Sequence, residues 1–237
     1  MTARKTSTIT RLGRNIGKTI NKVGRFRDKL LDSINPFKRN MLSSVQDLTE
    51  FEKMLAEINH QAFQQERKQE INGYLLNSRY SDNTTAVYFN ESQNHLIIGY
   101  RGTKVTDVRD ILTDLRLTFE DDTETLVRFN QDLRKFKNII ASFPSTIRIT
   151  LTGFSLGGSV AIFINSKSDL VNEVIVFNPG VSRSNLMNIQ SADNLTIIRT
   201  TNDPISALSV STNVQIKTIP GKDGLIPTHK LENFLTS

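Results

Sequence analysis

A serine flanked by glycines is the most chemically informative feature of the sequence. Gly153-Phe154-Ser155-Leu156-Gly157 follows a segment that alternates apolar with polar residues, 147–152, and precedes an apolar run, 158–164. The alternation predicts a β-strand, and the apolar run predicts a buried helix. A G-x-S-x-G pattern between strand and helix is typical of a nucleophile elbow, where glycine permits close backbone packing around the serine. We therefore predict Ser155 to be a nucleophile at the carboxyl end of a central strand.

The base that such a serine needs can be found by counting histidines. A serine hydroxyl is a poor nucleophile at neutral pH unless a base takes its proton. The chain has three histidines, His60, His95 and His229. Where a nucleophile elbow belongs to an α/β-hydrolase, the chain order is serine, then acid, then histidine. His229 alone follows Ser155, so we predict it to be the base.

The acid that orients the histidine must lie between Ser155 and His229. Asp203 directly follows a predicted strand, Leu195–Arg199, and should lie at the carboxyl edge of the sheet, where ligands bind in open α/β folds. It would fix the imidazole tautomer and stabilise its cation. Asp223 is the alternative, although Gly221-Lys222-Asp223-Gly224 is also a simple turn pattern. The remaining acids in the interval fall in predicted loops away from this edge: Asp169, Glu173 and Asp193.

The elements around these residues alternate between strand and helix. Helices are predicted at Leu42–Glu70 and Thr123–Phe143, and a hairpin is predicted from Ala86–Phe89 and His95–Tyr100. Further strands are predicted at Val174–Phe177 and Val214–Ile219, with a short last helix. This alternation predicts a mostly parallel central sheet with helices on both faces. The expected fold class is an α/β-hydrolase over residues 41–237, preceded by a basic arm, residues 1–40.

Several motifs occur in one order along the chain: Tyr100-Arg101-Gly102-Thr103, Asp114-Leu115, Thr152 to Gly158, Asn202-Asp203-Pro204-Ile205 and His229-x-Leu231. Together they resemble the class 3 (fungal-type) lipases over roughly residues 45–237. The resemblance implies hydrolysis of lipid carboxylic esters through an acyl-serine intermediate, without metal or cofactor. It also implies an oxyanion hole made by the amides of Thr103 and Leu156. It further implies that Asp114 helps to orient Thr103, and that residues near Lys104–Ile111 form a movable lid.

The sequence departs from that family at several positions. Phe154 stands where the family usually has histidine, Ser159 where it has alanine, and Ile111 where it often has tryptophan. The interval from Asp203 to His229 is short compared with that of the fungal members, which reduces the region expected to bind the acyl chain. The choice between acylglycerol and phospholipid substrates therefore stays open. The alternative function is a membrane-associated protein that keeps the hydrolase fold without its activity.

Residues 1–40 carry most of the positive charge. They contain eleven basic and two acidic residues, a formal charge of +9, against +6 for the whole chain. Apolar residues recur at three- and four-residue steps opposite a basic face, which predicts binding to an anionic membrane surface. A transit peptide and an extension without a dedicated role are the alternatives. Nucleic acid is not expected as a partner, because aromatic residues are not interleaved with the basic ones: the arm has Phe26 and, near its end, Phe37.

The predicted location is intracellular and peripheral to membranes. The chain has no cysteine, which suits a reducing compartment, and the first residues lack the continuous apolar segment of a secretory signal.

Overall fold

A computed structural model describes residues 47–103, 123–180, 193–201, 203, 214–221 and 230–235, with side chains described for that set except 123–126. Residues 45–237 form one compact unit. Several sequence predictions fall outside the described residues. They concern the arm of residues 1–40, the segment Lys104–Ile111, Asp114, Asp223 and His229.

An eight-stranded sheet runs through the described part of the chain, with its strands side by side in chain order. The first four strands pair antiparallel, and the pairs from β4 to β8 are parallel. The predicted mostly parallel sheet is confirmed. The strands are β1 (Glu70–Ile71), β2 (Tyr74–Leu76), β3 (Thr85–Asn90), β4 (His95–Tyr100), β5 (Arg148–Phe154), β6 (Glu173–Phe177), β7 (Leu195–Thr200) and β8 (Gln215–Ile219).

Helices cover both faces of the sheet, as predicted. The helices α2 (Thr123–Ile140) and α3 (Leu156–Asn165) pack on one face, where Phe136 and Val160 join a cluster with Leu151 of β5. On the other face, α1 (Glu50–Gln61) and a short 3-10 helix (Leu231–Phe234) pack over Phe154 and Phe177. Because side chains alternate along each strand, both clusters draw on the same strands, and the sheet is buried on both sides.

The helix predicted at Leu42–Glu70 is shorter than expected. It begins at Glu50, where Thr49 and Glu52 form a capping box, and it ends at Gln61. The Arg67 side chain donates a 2.8 Å hydrogen bond to the carbonyl oxygen of Gln61, and the chain then enters β1 at Glu70. The sequence did not predict β1 and β2, because strands of two and three residues are too short to show a period.

A buried ion pair joins the start of α1 to β8. Lys217 Nζ lies 2.6 Å from Glu52 Oε2, and each residue is 8 % exposed. The same Glu52 oxygen accepts a 2.6 Å hydrogen bond from the backbone N–H of Thr49. The Glu52 carboxylate therefore joins the capping box of α1 to β8, at the edge of the sheet. Among the described residues, no helix is long and apolar enough to cross a bilayer.

Candidate active site

Ser155 occupies the turn between β5 and α3. Its backbone has φ 54° and ψ −124°, a conformation that is costly for a residue with a Cβ atom. Its N–H donates to the carbonyl oxygen of Phe177 (3.0 Å), and its own carbonyl accepts from Ser159 and Gly180 at 3.2 and 3.3 Å. These bonds hold the strained residue, which lies half-buried at the carboxyl end of β5.

The two glycines of the motif are required by close backbone approach. A Cβ atom on Gly153 would lie 2.2 Å from the carbonyl of Gly157, and one on Gly157 would lie 2.0 Å from the carbonyl oxygen of Tyr100. Both neighbours are backbone atoms that cannot rotate away. The sequence pattern thus reflects three backbone segments, β4, β5 and α3, meeting at one point.

The loop after β4 packs directly against this turn. A Cβ atom on Gly102 would lie 2.6 Å from the carbonyl oxygen of Phe154 and 3.4 Å from Cβ of Ser155. Thr103 is the next residue and is half-buried. Leu156 opens α3, whose first backbone bond runs from Ser159 N–H to the carbonyl of Ser155. The backbone N–H of Leu156 lies in the first turn of α3, where an N–H group has no hydrogen-bond acceptor within its own helix. The elbow and the Arg101–Thr103 loop therefore meet at one edge of the sheet.

Asp203 lies at the same edge, beyond the end of β7. It is 2 % exposed, and its N–H donates to the carbonyl of Thr200 at 3.4 Å. Register puts Phe154 beside Phe177, and Phe177 beside Ile198, so β5 and β6 end level and β7 continues two residues further, to Thr200. Two strand spacings, about 10 Å, separate β5 from β7. An imidazole between the serine and this aspartate would have to bridge most of that width.

Asn178 connects the ends of β6 and β7. Its side chain donates to the hydroxyl oxygen of Thr200 (3.1 Å) and accepts from the backbone N–H of Thr200 (2.9 Å). Asn178 has φ 41°, which asparagine tolerates better than most residues. Both side chains are buried. Asn178 therefore fixes the strand end from which Asp203 follows three residues later.

His229 is outside the described residues, but the 3-10 helix that begins two residues after it packs against Phe154. Leu231 and Phe234 of the 3-10 helix are buried. The ring of Phe234 lies 5.0 Å from that of Phe177 and 6.4 Å from that of Phe154, centroid to centroid. Phe154 directly precedes Ser155. The departure from the family's usual histidine at this position thus supplies an apolar anchor for the C-terminal segment.

Sequence reasoning missed a polar group beneath the Arg101–Thr103 loop. The Arg128 guanidinium donates a 3.0 Å hydrogen bond from Nη2 to the carbonyl oxygen of Arg101, and its Nε lies 2.5 Å from Oδ2 of Asp132. Asp132 is 3 % exposed, and burial raises its pKa although Arg128 opposes the rise. Burial, followed by repulsion from Arg128, lowers the pKa of Arg101. The signal was present as an Arg–Asp pair four residues apart on α2, but its target lies across the fold.

The arrangement is that of the α/β-hydrolase fold: a mostly parallel sheet with helices on both faces and a strained serine between a strand end and a helix start. No protein-family model matches the sequence, and a search of curated proteins found no match. A search of solved structures, in contrast, found lipases of fungi.

The lipase from Rhizopus microsporus var. chinensis aligns with 81 % of this chain and 88 % of its own, at 14 % identity and a TM-score of 0.51. Lipase II from Rhizopus niveus aligns over 66 % and 72 % of the two chains, at 14 % identity and a TM-score of 0.48. Lip2 lipase from Yarrowia lipolytica aligns over 75 % and 81 %, at 16 % identity and a TM-score of 0.45. The predicted resemblance to fungal-type lipases is confirmed at the level of the fold.

Proposed function

We propose that this protein is a serine hydrolase that cleaves the carboxylic esters of lipids through an acyl-serine intermediate. The observation that carries the proposal is the backbone of Ser155. A non-glycine residue at φ 54° is held between glycines that admit no Cβ, at the carboxyl end of a central parallel strand. Strain of this kind persists where the surrounding structure enforces it, and it clusters at functional sites.

The proposed mechanism assigns one role to each group. His229 takes the hydroxyl proton of Ser155 while the serine oxygen attacks the ester carbonyl, and Asp203 holds the imidazole and stabilises its cation. The amides of Thr103 and Leu156 donate to the oxyanion of the tetrahedral intermediate. The alcohol leaves with the proton from His229, and a water molecule, activated by the same imidazole, releases the acid. What supports these roles is the meeting of the elbow with the Arg101–Thr103 loop and the position of Asp203 beyond β7.

The placement of the 3-10 helix supports His229 as the base. Leu231 follows His229 by two residues and is anchored in the cluster that contains Phe154. The chain that carries His229 continues directly into this segment, which lies in the same cluster as the residue before the nucleophile, and this continuity supports the role of base.

The lipid character of the substrate is proposed from the fold. A protein that shares the fold over most of its length is a lipase, from Rhizopus microsporus var. chinensis. We extend this to acylglycerol or phospholipid esters as the substrate class. A panel of triacylglycerol, diacylglycerol and phospholipid emulsions, each assayed for released fatty acid, separates these substrates.

Replacement of the serine tests the function directly. We expect Ser155→Ala to lower hydrolysis of p-nitrophenyl butyrate at least 1,000-fold, since loss of a triad nucleophile costs on the order of 10⁶-fold in a serine protease. Ser166→Ala is the matched control: Ser166 is exposed at the other end of α3, and its hydroxyl donates to the carbonyl of Phe163. A fluorophosphonate probe should label the wild-type chain and S166A, but not S155A. Unchanged hydrolysis in S155A would exclude Ser155 as the nucleophile. A wild type that neither hydrolyses the ester nor is labelled would favour the inactive, membrane-associated alternative.

We also propose that residues 1–40 bring the enzyme to anionic membranes, as an intracellular protein peripheral to them. The charge of +9 on this arm supports the proposal, since each basic residue near an anionic surface contributes about 1 kcal/mol. The full chain should sediment with vesicles of phosphatidylserine and phosphatidylcholine but not with phosphatidylcholine alone. Glutamine at Lys18, Lys22, Arg25 and Lys29 should abolish the difference. Sedimentation that is unchanged by these substitutions contradicts the proposal, and so does salt-sensitive retention on DNA in place of vesicle binding.

A further inference from the structure

We propose that Arg128, held by Asp132, is a positioning residue for the loop that carries the oxyanion donor Thr103. The inference rests on the proposed function and deepens it, because it assigns a task to residues that the triad does not use. The juxtaposition that carries it is a guanidinium on α2 hydrogen-bonded to the backbone of the loop that packs on Ser155.

The Arg128 side chain is fixed on both of its sides. Its Nε lies 2.5 Å from Oδ2 of Asp132, four residues further along α2, and its Nη2 donates 3.0 Å to the carbonyl oxygen of Arg101. The side chain of Asp132 is 5 % exposed and that of Arg128 is 21 % exposed. A buried carboxylate in this position orients the planar guanidinium, whose fork geometry then defines where the bound carbonyl can lie.

The backbone of Arg101 is held from both directions. Its N–H donates to the carbonyl oxygen of Thr84 at 2.9 Å, and its carbonyl accepts from Arg128. The segment that provides Thr84 is itself braced, because Lys135 Nζ lies 2.6 Å from Oδ2 of Asp82. The N–H orients the peptide plane between Tyr100 and Arg101, and the carbonyl orients the plane between Arg101 and Gly102, so both planes that flank Arg101 are held.

The peptide plane between Arg101 and Gly102 sets the direction of the backbone that follows it. Gly102 lies so close to the elbow that a Cβ atom on it would meet the carbonyl of Phe154 at 2.6 Å. The amide of Thr103 follows directly. An oxyanion donor acts only if it points, within a few tenths of an ångström, at the place where negative charge develops. Release of the Arg101 carbonyl would let the Thr103 amide turn away from the serine without disturbing the triad.

A donor that acts on the transition state changes kcat and leaves ground-state binding alone. We therefore expect Arg128→Met to lower kcat for p-nitrophenyl butyrate about 10- to 100-fold, below the 10²–10³-fold loss of an oxyanion donor itself. KM should stay within about twofold. Affinity for an alkyl boronic acid, which forms a tetrahedral adduct on the serine, should fall in parallel with kcat. Asp132→Asn, which keeps an acceptor without the charge, should give a smaller loss of the same kind.

Chemical rescue separates positioning from a merely structural role. Arg128 is partly exposed, so methylguanidinium can enter the space that Arg128→Ala leaves, and we expect it to restore at least a tenth of the lost kcat. Arg148→Met is the matched control: Arg148 forms a 2.9 Å ion pair with Glu173 at the opposite ends of the strands. This control should keep wild-type kcat and should not respond to methylguanidinium. Thermal unfolding of each variant is measured beside the kinetics.

Two outcomes overturn the inference. One is unchanged kcat and boronate affinity in R128M. The other is a loss of activity that follows the loss of folded protein, with neither a kcat-specific effect nor rescue. Either result leaves the proposed function standing if S155A is inactive and the wild type is labelled by fluorophosphonate. If the wild type hydrolyses no ester, the proposed function fails, and the positioning role fails with it.

Discussion

The two ends of the parallel strands differ in what holds them: the carboxyl ends contain strained backbone, and the amino ends contain hydrogen-bonded polar side chains. At the carboxyl ends, Ser155 and Asn178 hold left-handed backbone conformations, and Gly153 and Gly157 leave no room for side chains. At the amino ends, polar side chains satisfy one another. There, His95 lies between two hydroxyls, and Arg148 forms an ion pair with Glu173 at the start of β5 and β6.

The amino-end group is a buried polar network centred on His95, which is 2 % exposed. Its Nδ1 lies 2.7 Å from the hydroxyl of Tyr74, and its Nε2 lies 2.8 Å from the hydroxyl of Thr150. The ring of Phe51 stacks on the imidazole with centroids 6.0 Å apart. Satisfied networks of this kind specify a rigid structure. One end of the sheet therefore contains strained backbone, where we propose that catalysis occurs, and the other end resists deformation.

The largest effect should come from crowding the strained end. A Cβ atom on Gly157 would collide with a backbone carbonyl, whereas one on Gly99, the last residue but one of β4, would lie 2.9 Å from a side-chain methyl group of Ile58. We expect Gly157→Ala to cost more than about 3 kcal/mol and to abolish hydrolysis. Gly99→Ala should cost about 1–3 kcal/mol. Urea unfolding compares the two, and equal losses would mean that the elbow can relax.

Acid should lower the folding stability through His95, at the amino ends of the strands. Burial, with a smaller contribution from Arg148, lowers the pKa of His95 from 6.5 to about 4. The unfolded chain then takes up a proton near pH 6.5 that the folded chain refuses until pH 4. The stabilisation is complete above pH 6.5 and declines between these values, by about 3 kcal/mol. Urea unfolding at pH 7 and pH 4.5 should show this decline in the wild type and a smaller one in His95→Asn; parallel declines would contradict it.

Two substitutions of Asn178 separate the cost of backbone strain from the cost of lost hydrogen bonds at the carboxyl ends of the strands. Asn178→Ala loses the bonds to Thr200 and places a less tolerant residue at φ 41°. We expect a cost of about 2–3 kcal/mol. Asn178→Gly loses the same bonds without the conformational penalty, so it should cost about 1 kcal/mol less. Both should lower ester hydrolysis if β7 places Asp203. Equal stabilities for the two variants would show that backbone strain is absent there.

The smallest effect should follow removal of the ion pair between Arg148 and Glu173. Their side chains are 56 % and 30 % exposed, and solvent screens such pairs. A double-mutant cycle with R148M and Glu173→Gln should give a coupling energy below about 1 kcal/mol. Because Arg148 helps to lower the pKa of His95, R148M should raise that pKa and reduce the loss of stability between pH 7 and pH 4.5. An unchanged loss would assign the low pKa to burial alone.

The sequence predicted the fold through periodicity and the elbow through its glycines. The hairpin from β3 to β4, the strand ends beside Ser155 and the helix that follows it all show local patterns that a reader can recognise. The roles of Asn178 and Arg128 could not be predicted in that way. Each acts on a backbone group that is distant in sequence, Thr200 in one case and Arg101 in the other. Contacts of this kind follow from tertiary packing, which leaves no period along the chain.

The ion pair between Glu52 and Lys217 has a consequence for the time course of folding. Its partners are 165 residues apart, and one of them lies in the capping box of α1 while the other lies on β8, the last of the described strands. Contacts of such high sequence separation form slowly, because the intervening chain must first be ordered. On the ribosome, we expect α1 to remain accessible to protease until residues 215–219 have emerged. Arrested chains ending at residue 200, once digested, test this expectation, and early protection of α1 would refute it.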